Sequence, residues 1–380
     1  MENKTETISQ ETYEEASIIE KQNRIQLLME GKTICSLKPS QEEKKEDTDI
    51  QKKVQLNTPL VNYEWEISQK IHKIPHNKLY FSTMIEAPIE LTIGQLTDDN
   101  IENCKNKSQH KNKPENKTLV STSYKRIQTI TIYQYLQTIK SEYPDKSFMT
   151  ILDIFSQILH IIQKIKDQET PLILFDINEE SILYDKQNNV PIVIDHQLVI
   201  EKQALEDKEQ RHDLIPHYDL PYPSIAIEIW LLSNIIELDP QIQFSKEKLD
   251  EYIDQYTQNL PTNPKVNEFI DQYKQELQKI AEWDHLEDSL IESSDSWDLY
   301  ATAILFYNLC SQLNLDELRI QIDETPKYPF LEEWYKILES IIYTVPSSRP
   351  TIKQILEKIE TSFTQVDREL YQSFLLEFLE

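Results

Sequence analysis

The sequence predicts a mixed α+β chain in two parts, a small strand-rich part followed by a larger helix-rich one, and three observations carry that reading. Up to about residue 127, short β-rich runs alternate with polar turns and a single amphipathic helix. From Thr131 onward, apolar residues recur at helical spacing, interrupted by one hairpin signature between Ile182 and Ile194. The length of 380 residues accommodates two or three average domains or one two-lobed one, and an apolar share of 39% is enough for a real core.

The elements follow in order. Residues 1–24 read as a polar acidic arm. Ile25 to Met29, the turn Glu30-Gly31-Lys32 and Thr33 to Lys38 read as strand, tight turn, strand. Residues 39–53 read as a charged linker. Val61 to Ile74 is an amphipathic helix with Trp65, Ile67, Ile71 and Ile74 on its apolar face. Leu79–Ile85, Ile89–Ile93 and Leu119–Ile127 are strand candidates, and 98–117 reads as a low-complexity polar loop. Thr131–Lys140 and Phe148–Asp167 are helices, the second with Ile151, Leu152, Phe155, Ile158, Leu159 and Ile162 on one face. Ile182–Tyr184 and Ile192–Ile194, joined by Asp185 to Asn189, form a hairpin. Nearly everything after Ile225 is helical, and there is no internal repeat.

Composition narrows the function classes. The formal charge of −27, from 39 basic and 66 acidic groups, argues against nucleic acid or an anionic membrane as the main partner. Only 2 glycines occur, so a Gly-rich phosphate loop has little to be built from. Cys35, Cys104 and Cys310 are far apart and odd in number; no disulfide framework or zinc spacing follows, and a reducing compartment fits. No leader peptide is expected, and the sequence contains no 18-residue apolar run. The expectation is an intracellular protein, cytoplasmic or cytoskeleton-associated, and not secreted.

Residues 171–200, PLILFDINEESILYDKQNNVPIVIDHQLVI, carry a resemblance. A long helix leads to Leu174-Phe175-Asp176; Ser181 follows five residues on, then strand, turn, strand and Asp195-His196-Gln197. This resembles the catalytic loop and metal-binding segment of eukaryotic protein kinases, H-R-D-x-x-x-x-N, a hairpin, then D-F-G. Further marks come in the same order. Ala226-Ile227-Glu228 resembles A-P-E, Ser294-Asp295-Ser296-Trp297 resembles S-D-V-W, and Val345 to Thr351 resembles D-P-x-x-R-P-T. Thr33–Lys38 resembles the V-A-I-K strand, and Ile74 to Asn77 the loop after helix C.

The resemblance implies a bilobal protein kinase-like fold. Its strand-rich N-lobe is 25–127, its helical C-lobe 128–360, and a C-terminal amphipathic helix spans 361–380. It implies scaffold roles for Glu228 and Arg349 as a buried ion pair, for Asp295 as acceptor of N–H groups from the 174–176 loop, and for Trp297 packed beneath it. It also implies Asp176 as a vestigial base, Lys38 as the phosphate lysine with Glu64 or Glu66 as its partner, and Ser181 and Asp195 as vestigial Mg-ATP positions. His196 would fill the slot of the family's Phe. Several parts depart from the pattern. Ser181 replaces an Asn ligand, Asn178 a catalytic-loop Lys, Phe175 the Arg that grips an activation-loop phosphate, and no Ser or Thr lies between Gln197 and Pro223. The implied function is a catalytically impaired pseudokinase acting as a protein-binding scaffold or assembly subunit. The alternatives are a divergent active Ser/Thr kinase and a non-catalytic nucleotide-binding switch. No metal and no cofactor are expected, with weak Mg-ATP binding left open.

Two additions to the family plan stand out. Residues 239–291 form an inserted helical hairpin, with Leu249, Ile253, Tyr256 and Leu260 facing Val266, Phe269, Ile270, Tyr273, Leu277 and Ile280 across the turn Pro261 to Pro264. Residues 246–300 carry 5 basic and 14 acidic groups. The hairpin reads as self-packed and separable from the core, with an acidic face for a basic protein partner. Ser362 to Glu380 is a second docking candidate, or folds back on the C-lobe.

Overall fold

The computed structural model describes residues 33–38, 50–91, 96, 101–106, 118–125, 127–194, 196–216, 218, 220–236, 245–280, 285–322, 325–364 and 366–379. They form a mixed α+β structure of two compact units, one within 1–70 and 82–127, the other within 71–81 and 128–380.

The first unit is an antiparallel sheet. Its strands are β1 (Thr33–Leu37), β2 (Ile50–Leu56), β3 (Ile89–Leu91), β4 (Ile101–Asn106) and β5 (Leu119–Lys125), in the order β3-β5-β2-β1-β4. β5 is buried on both sides. Leu119 joins Cys35, Val54, Leu56 and Ile101 on one face, while Val120 and Tyr124 pack with Val61, Met84 and Trp65 on the other. That alternation is the two-residue period of a strand. Val61 and Trp65 belong to helix α1 (Pro59–Ile71), which therefore covers the second face.

Four expectations change here. The charged linker ends earlier than read, because residues 50–56 are β2. Its basic pair disguised the alternation, yet Lys53 lies over the Tyr124 ring, 4.3 Å from the centroid. The polar loop 98–117 contributes β4, which pairs with β1 at the sheet edge. In place of a strand from Leu79, Asn77–Tyr80 is one helical turn and only Phe81–Ser82 is extended. Cys35 is disulfide-bonded, so the cysteines no longer argue for a reducing compartment. The expected arm 1–24, the strand 25–29 and its Gly31 turn lie outside the described residues.

The second unit begins with β6 (Thr129–Thr131) and helix α2 (Ile132–Glu142), started by a capping box between Thr131 and Gln134. Helix α3 (Ser147–Lys166) follows, then β7 (Leu172–Ile173), the hairpin β8 (Ile182–Asp185) and β9 (Val190–Ile194), and β10 (Ile200–Glu201). Next come α4 (Lys208–Leu214), α5 (Ile227–Ile236), α6 (Lys246–Thr257), α7 (Lys265–Leu277) and α8 (Leu286–Glu292). The last helices are α9 (Trp297–Gln312), α10 (Pro329–Ile342), α11 (Ile352–Phe363) and α12 (Arg368–Leu379).

Helix α9 is buried around nearly its whole circumference, from Trp297 to Cys310, as expected of a helix apolar on all sides. Helix α3 packs on it, with Phe155 edge-on to Phe306 and Trp334. The helical stretch Pro144–Lys166 is the one span among the described residues long and apolar enough to cross a membrane, and its apolar face is spent in this core. Asparagine takes the left-handed turns that glycine usually fills: Asn189 in the β8–β9 turn (φ 54°) and Asn314 after α9 (φ 61°).

The hairpin α6–α7 is not self-contained. The Tyr256 hydroxyl is hydrogen-bonded into the core, 2.5 Å from the Ile225 carbonyl and 2.7 Å from the Tyr300 hydroxyl. Tyr343 donates to the Pro261 carbonyl, and Lys265 and Asn263 both reach Glu339. The expected separability is therefore wrong: the two apolar faces meet the rest of the unit as well as each other. Helix α12 folds back. Phe374 is fully buried among Phe148, Tyr328, Phe330 and Phe378, so its apolar face is already occupied.

Candidate functional site

The loop 174–181 is held from below by the central helix. Asp298, one residue into α9, accepts from the Leu174 N–H through Oδ2 and from the Phe175 N–H through Oδ1, each at 3.0 Å. Phe175 has φ 69°, a left-handed conformation disfavoured for a bulky residue, and these two bonds are what hold it there. Burial pushes the Asp298 carboxyl up, opposed by Lys166 and the two N–H donors. Phe175 meets Trp297 edge-on, with centroids 6.0 Å apart, so Trp297 lies against the loop.

The sequence reading assigned the acceptor role to Asp295, and that is corrected. Asp295 is exposed and pairs with Lys202 at 2.6 Å, while its carbonyl accepts from the Lys166 ammonium. It precedes α9, where its side chain turns to solvent. Asp298 projects from the first turn into the core. The Ser-Asp-Ser-Trp match hid the second carboxylate three residues on.

The side chains along the loop are largely engaged with one another. Asn178 Nδ2 donates to Asp176 Oδ1 at 2.7 Å, and Asn178 Oδ1 caps the N–H groups of Glu180 and Ser181. The Ser181 hydroxyl donates to the Asp176 carbonyl at 2.5 Å and accepts from the Asn178 N–H at 2.9 Å. Tyr218, not singled out by the sequence analysis, is half-buried near Asp176. Burial first, and then that carboxylate, push its phenol up. His196 is fully buried with its ring 6.1 Å from Phe81, and Gln197 is buried beside it in the chain. Asp195 lies outside the described residues.

Glu228 and Arg349 meet. Nη1 donates to Oε1 at 2.7 Å and Nη2 to Oε2 at 3.0 Å, with both side chains out of solvent. Ser293 donates to Glu228, and Arg349 also reaches Ser296. Burial pulls the guanidinium down, but the Glu228 carboxylate more than offsets it, so Arg349 sits above its ordinary value. Helix α4 carries a second buried cation. Arg211 binds the Leu205 carbonyl, Glu287 at 3.0 Å and Asp288 at 2.9 Å, which ties the segment 205–214 to α8.

In the first unit, Glu64 is buried on α1 and accepts from the Tyr124 hydroxyl at 2.8 Å, while Glu66 is exposed. Lys38 is exposed at the end of β1 and makes no ion pair among the described residues. The strand that leads directly into α1 is β2, so the lysines on it are Lys52 and Lys53, placed in the linker by the sequence reading. No group of three or more metal-ligating side chains occurs among the described residues. No protein-family model and no curated protein matches the chain.

Proposed function

We propose that the chain is a degenerate, catalytically impaired protein kinase-like protein that works as a protein-binding scaffold or structural subunit of an assembly. The observation that carries the reading is how the 174–181 loop uses its side chains. Two fastenings support it: the buried Asp298 carboxylate under the loop and the buried Glu228–Arg349 pair. The groups that phosphoryl transfer needs are diverted. Ser181 ties down the Asp176 carbonyl, Asn178 donates to the Asp176 carboxylate, and half-buried Tyr218 lies nearby. A base must be free to take a proton from a hydroxyl, and a metal site must offer oxygens not already committed.

In this reading the two units are the two lobes, and Lys53, on the same sheet face as Tyr124, whose hydroxyl donates to Glu64, joins Lys38 as a candidate phosphate lysine. The Arg211 clamp to Glu287 and Asp288 keeps the segment ordered without a phosphate, consistent with the absence of a Ser or Thr acceptor there. It engages a basic partner steered by the −27 charge.

Incubation of the purified chain with Mg-ATP tests this: no phosphate incorporation and no thermal shift are expected. Incorporation that vanishes in Asp176→Asn would show an active kinase. A shift without incorporation would make the protein a nucleotide-binding switch.

A further inference from the structure

Within the second unit, a cleft of ≈ 680 Å³ opens between α7, α8 and the turn 346–352, behind the Glu228–Arg349 pair. Its lining carries four carboxylates, Glu228, Glu276, Glu292 and Asp295, against three cations, Lys166, Lys202 and Arg349. Arg349 is matched by Glu228, and Lys202 by Asp295. Lys166 donates to the Asp295 carbonyl and lies in the field of Asp298 and Asp295. Two of the lining carboxylates stand outside these pairings. Glu276 accepts only from a neutral hydroxyl, Ser347 Oγ at 2.6 Å, and Glu292 is exposed; among the described residues neither has a cationic partner. Leu277, Ile280 and Pro346 give the same cleft an apolar lining.

A pocket with an apolar wall and uncompensated carboxylates suits a side chain with a hydrocarbon stem and a cationic head. Arginine fits better than lysine, because its planar fork donates to two oxygens at once and is less strongly hydrated. The volume exceeds one side chain and leaves room for flanking backbone. The excess negative charge of the whole chain favours a polypeptide carrying several such groups over a single small cation.

We propose that this cleft seats an arginine-bearing segment of a protein partner. The proposal rests on the scaffold reading and names where that scaffold engages its partner: beside α7 and α8 of the inserted hairpin, not on the α6 face or the α12 helix.

The test uses the full chain at physiological salt, titrated with a fluorescent peptide of alternating alanine and arginine and with its lysine counterpart. Glu276→Gln with Glu292→Gln is expected to weaken arginine-peptide binding roughly tenfold or more. Glu247→Gln with Glu251→Gln, which removes equal charge from α6, is expected to leave it within about twofold. The exposed-site reversal Glu292→Lys gives the same answer should the double variant melt early. Equal weakening by both double variants, indifference to arginine against lysine, or no binding by the wild type would overturn the proposal. Phosphate transfer by the wild type would overturn the scaffold reading and leave the peptide result standing. Failed peptide binding without transfer would remove this cleft alone.

Discussion

Replacing Arg349 by alanine leaves Glu228 as a buried carboxylate whose only remaining side-chain donor, among the described residues, is the Ser293 hydroxyl at 2.9 Å. The lost partner made two charge-assisted bonds, at 2.7 and 3.0 Å, with neither side chain in contact with water. Breaking a buried pair from one side costs roughly 3–5 kcal/mol, because the stranded charge must be carried, protonated or hydrated. A domain typically holds only about 5–15 kcal/mol in total, so the loss is a large share of the unit's stability. Removing both charges together, as Glu228→Leu with Arg349→Met, strands nothing and is expected to cost less than the two single changes summed. The coupling energy should be about 2 kcal/mol or more. Urea denaturation followed by tryptophan fluorescence reads this, with Trp65→Phe silencing the first unit so that the four tryptophans of the second unit's range, Trp230, Trp283, Trp297 and Trp334, report. Additive single costs, or an Arg349→Ala loss below about 1 kcal/mol, would refute the reasoning, since a pair that is not buried behaves that way.

Three further outcomes follow from particular contacts. Asp298→Ala removes the acceptor of two buried N–H groups beneath a left-handed Phe175 and should cost roughly 2–5 kcal/mol. Asp295→Ala loses one exposed pair and should cost about 0–1 kcal/mol; melts of the two variants that rank the other way would restore the sequence assignment. Cys310 is fully buried, with the Trp334 N–H on its sulfur at 3.2 Å, and burial pushes its thiol up to about 12 from an ordinary 9.0. The folded state therefore keeps the proton that the unfolded chain releases. This stabilisation is intact below pH 9 and is lost as the pH rises from 9 to 12, so wild type should lose stability relative to Cys310→Ala across that window. Replacing 239–291 by a short polar linker should abolish the cooperative melt of the second unit, because Tyr256 and Tyr273 are part of its core; a retained melt would show the hairpin to be dispensable.

The parts legible in the sequence are those where periodicity and burial coincide. Helix α3 was readable because its apolar residues return every three or four positions for 20 residues, and α10 and α11 for the same reason. Strand β2 was hidden because a sheet strand needs only backbone hydrogen bonds and one buried face, and the exposed positions were free to carry Lys52 and Lys53. Strand β4 was hidden for a related reason: an edge strand tolerates the Asn- and Lys-rich composition that otherwise marks a loop. The Asp295 misassignment has a different origin. Local sequence offers two carboxylates three residues apart, and which of them turns inward depends on where α9 begins. That is a boundary, the least certain quantity to read from pattern.

The hairpin error points to how the molecule is organised. Its helices have apolar stripes that satisfy each other on paper, and pattern alone cannot tell a pair that closes on itself from a pair that also closes on a third surface. The deciding residues are tyrosines. A buried phenol carries a hydroxyl that must find a partner, and Tyr256 finds Tyr300 and the Ile225 carbonyl across the core. Tyr256 and Tyr273 both lie in the field of the Glu228–Arg349 pair, and Ser293, which follows α8, donates to Glu228. The insertion is thus built around the same ion pair that fastens α5 to the 346–349 turn. A contact at the α7–α8 cleft therefore bears directly on the residues that hold the second unit together, whereas a contact on the acidic outer face of α6 is separated from them by a full helix.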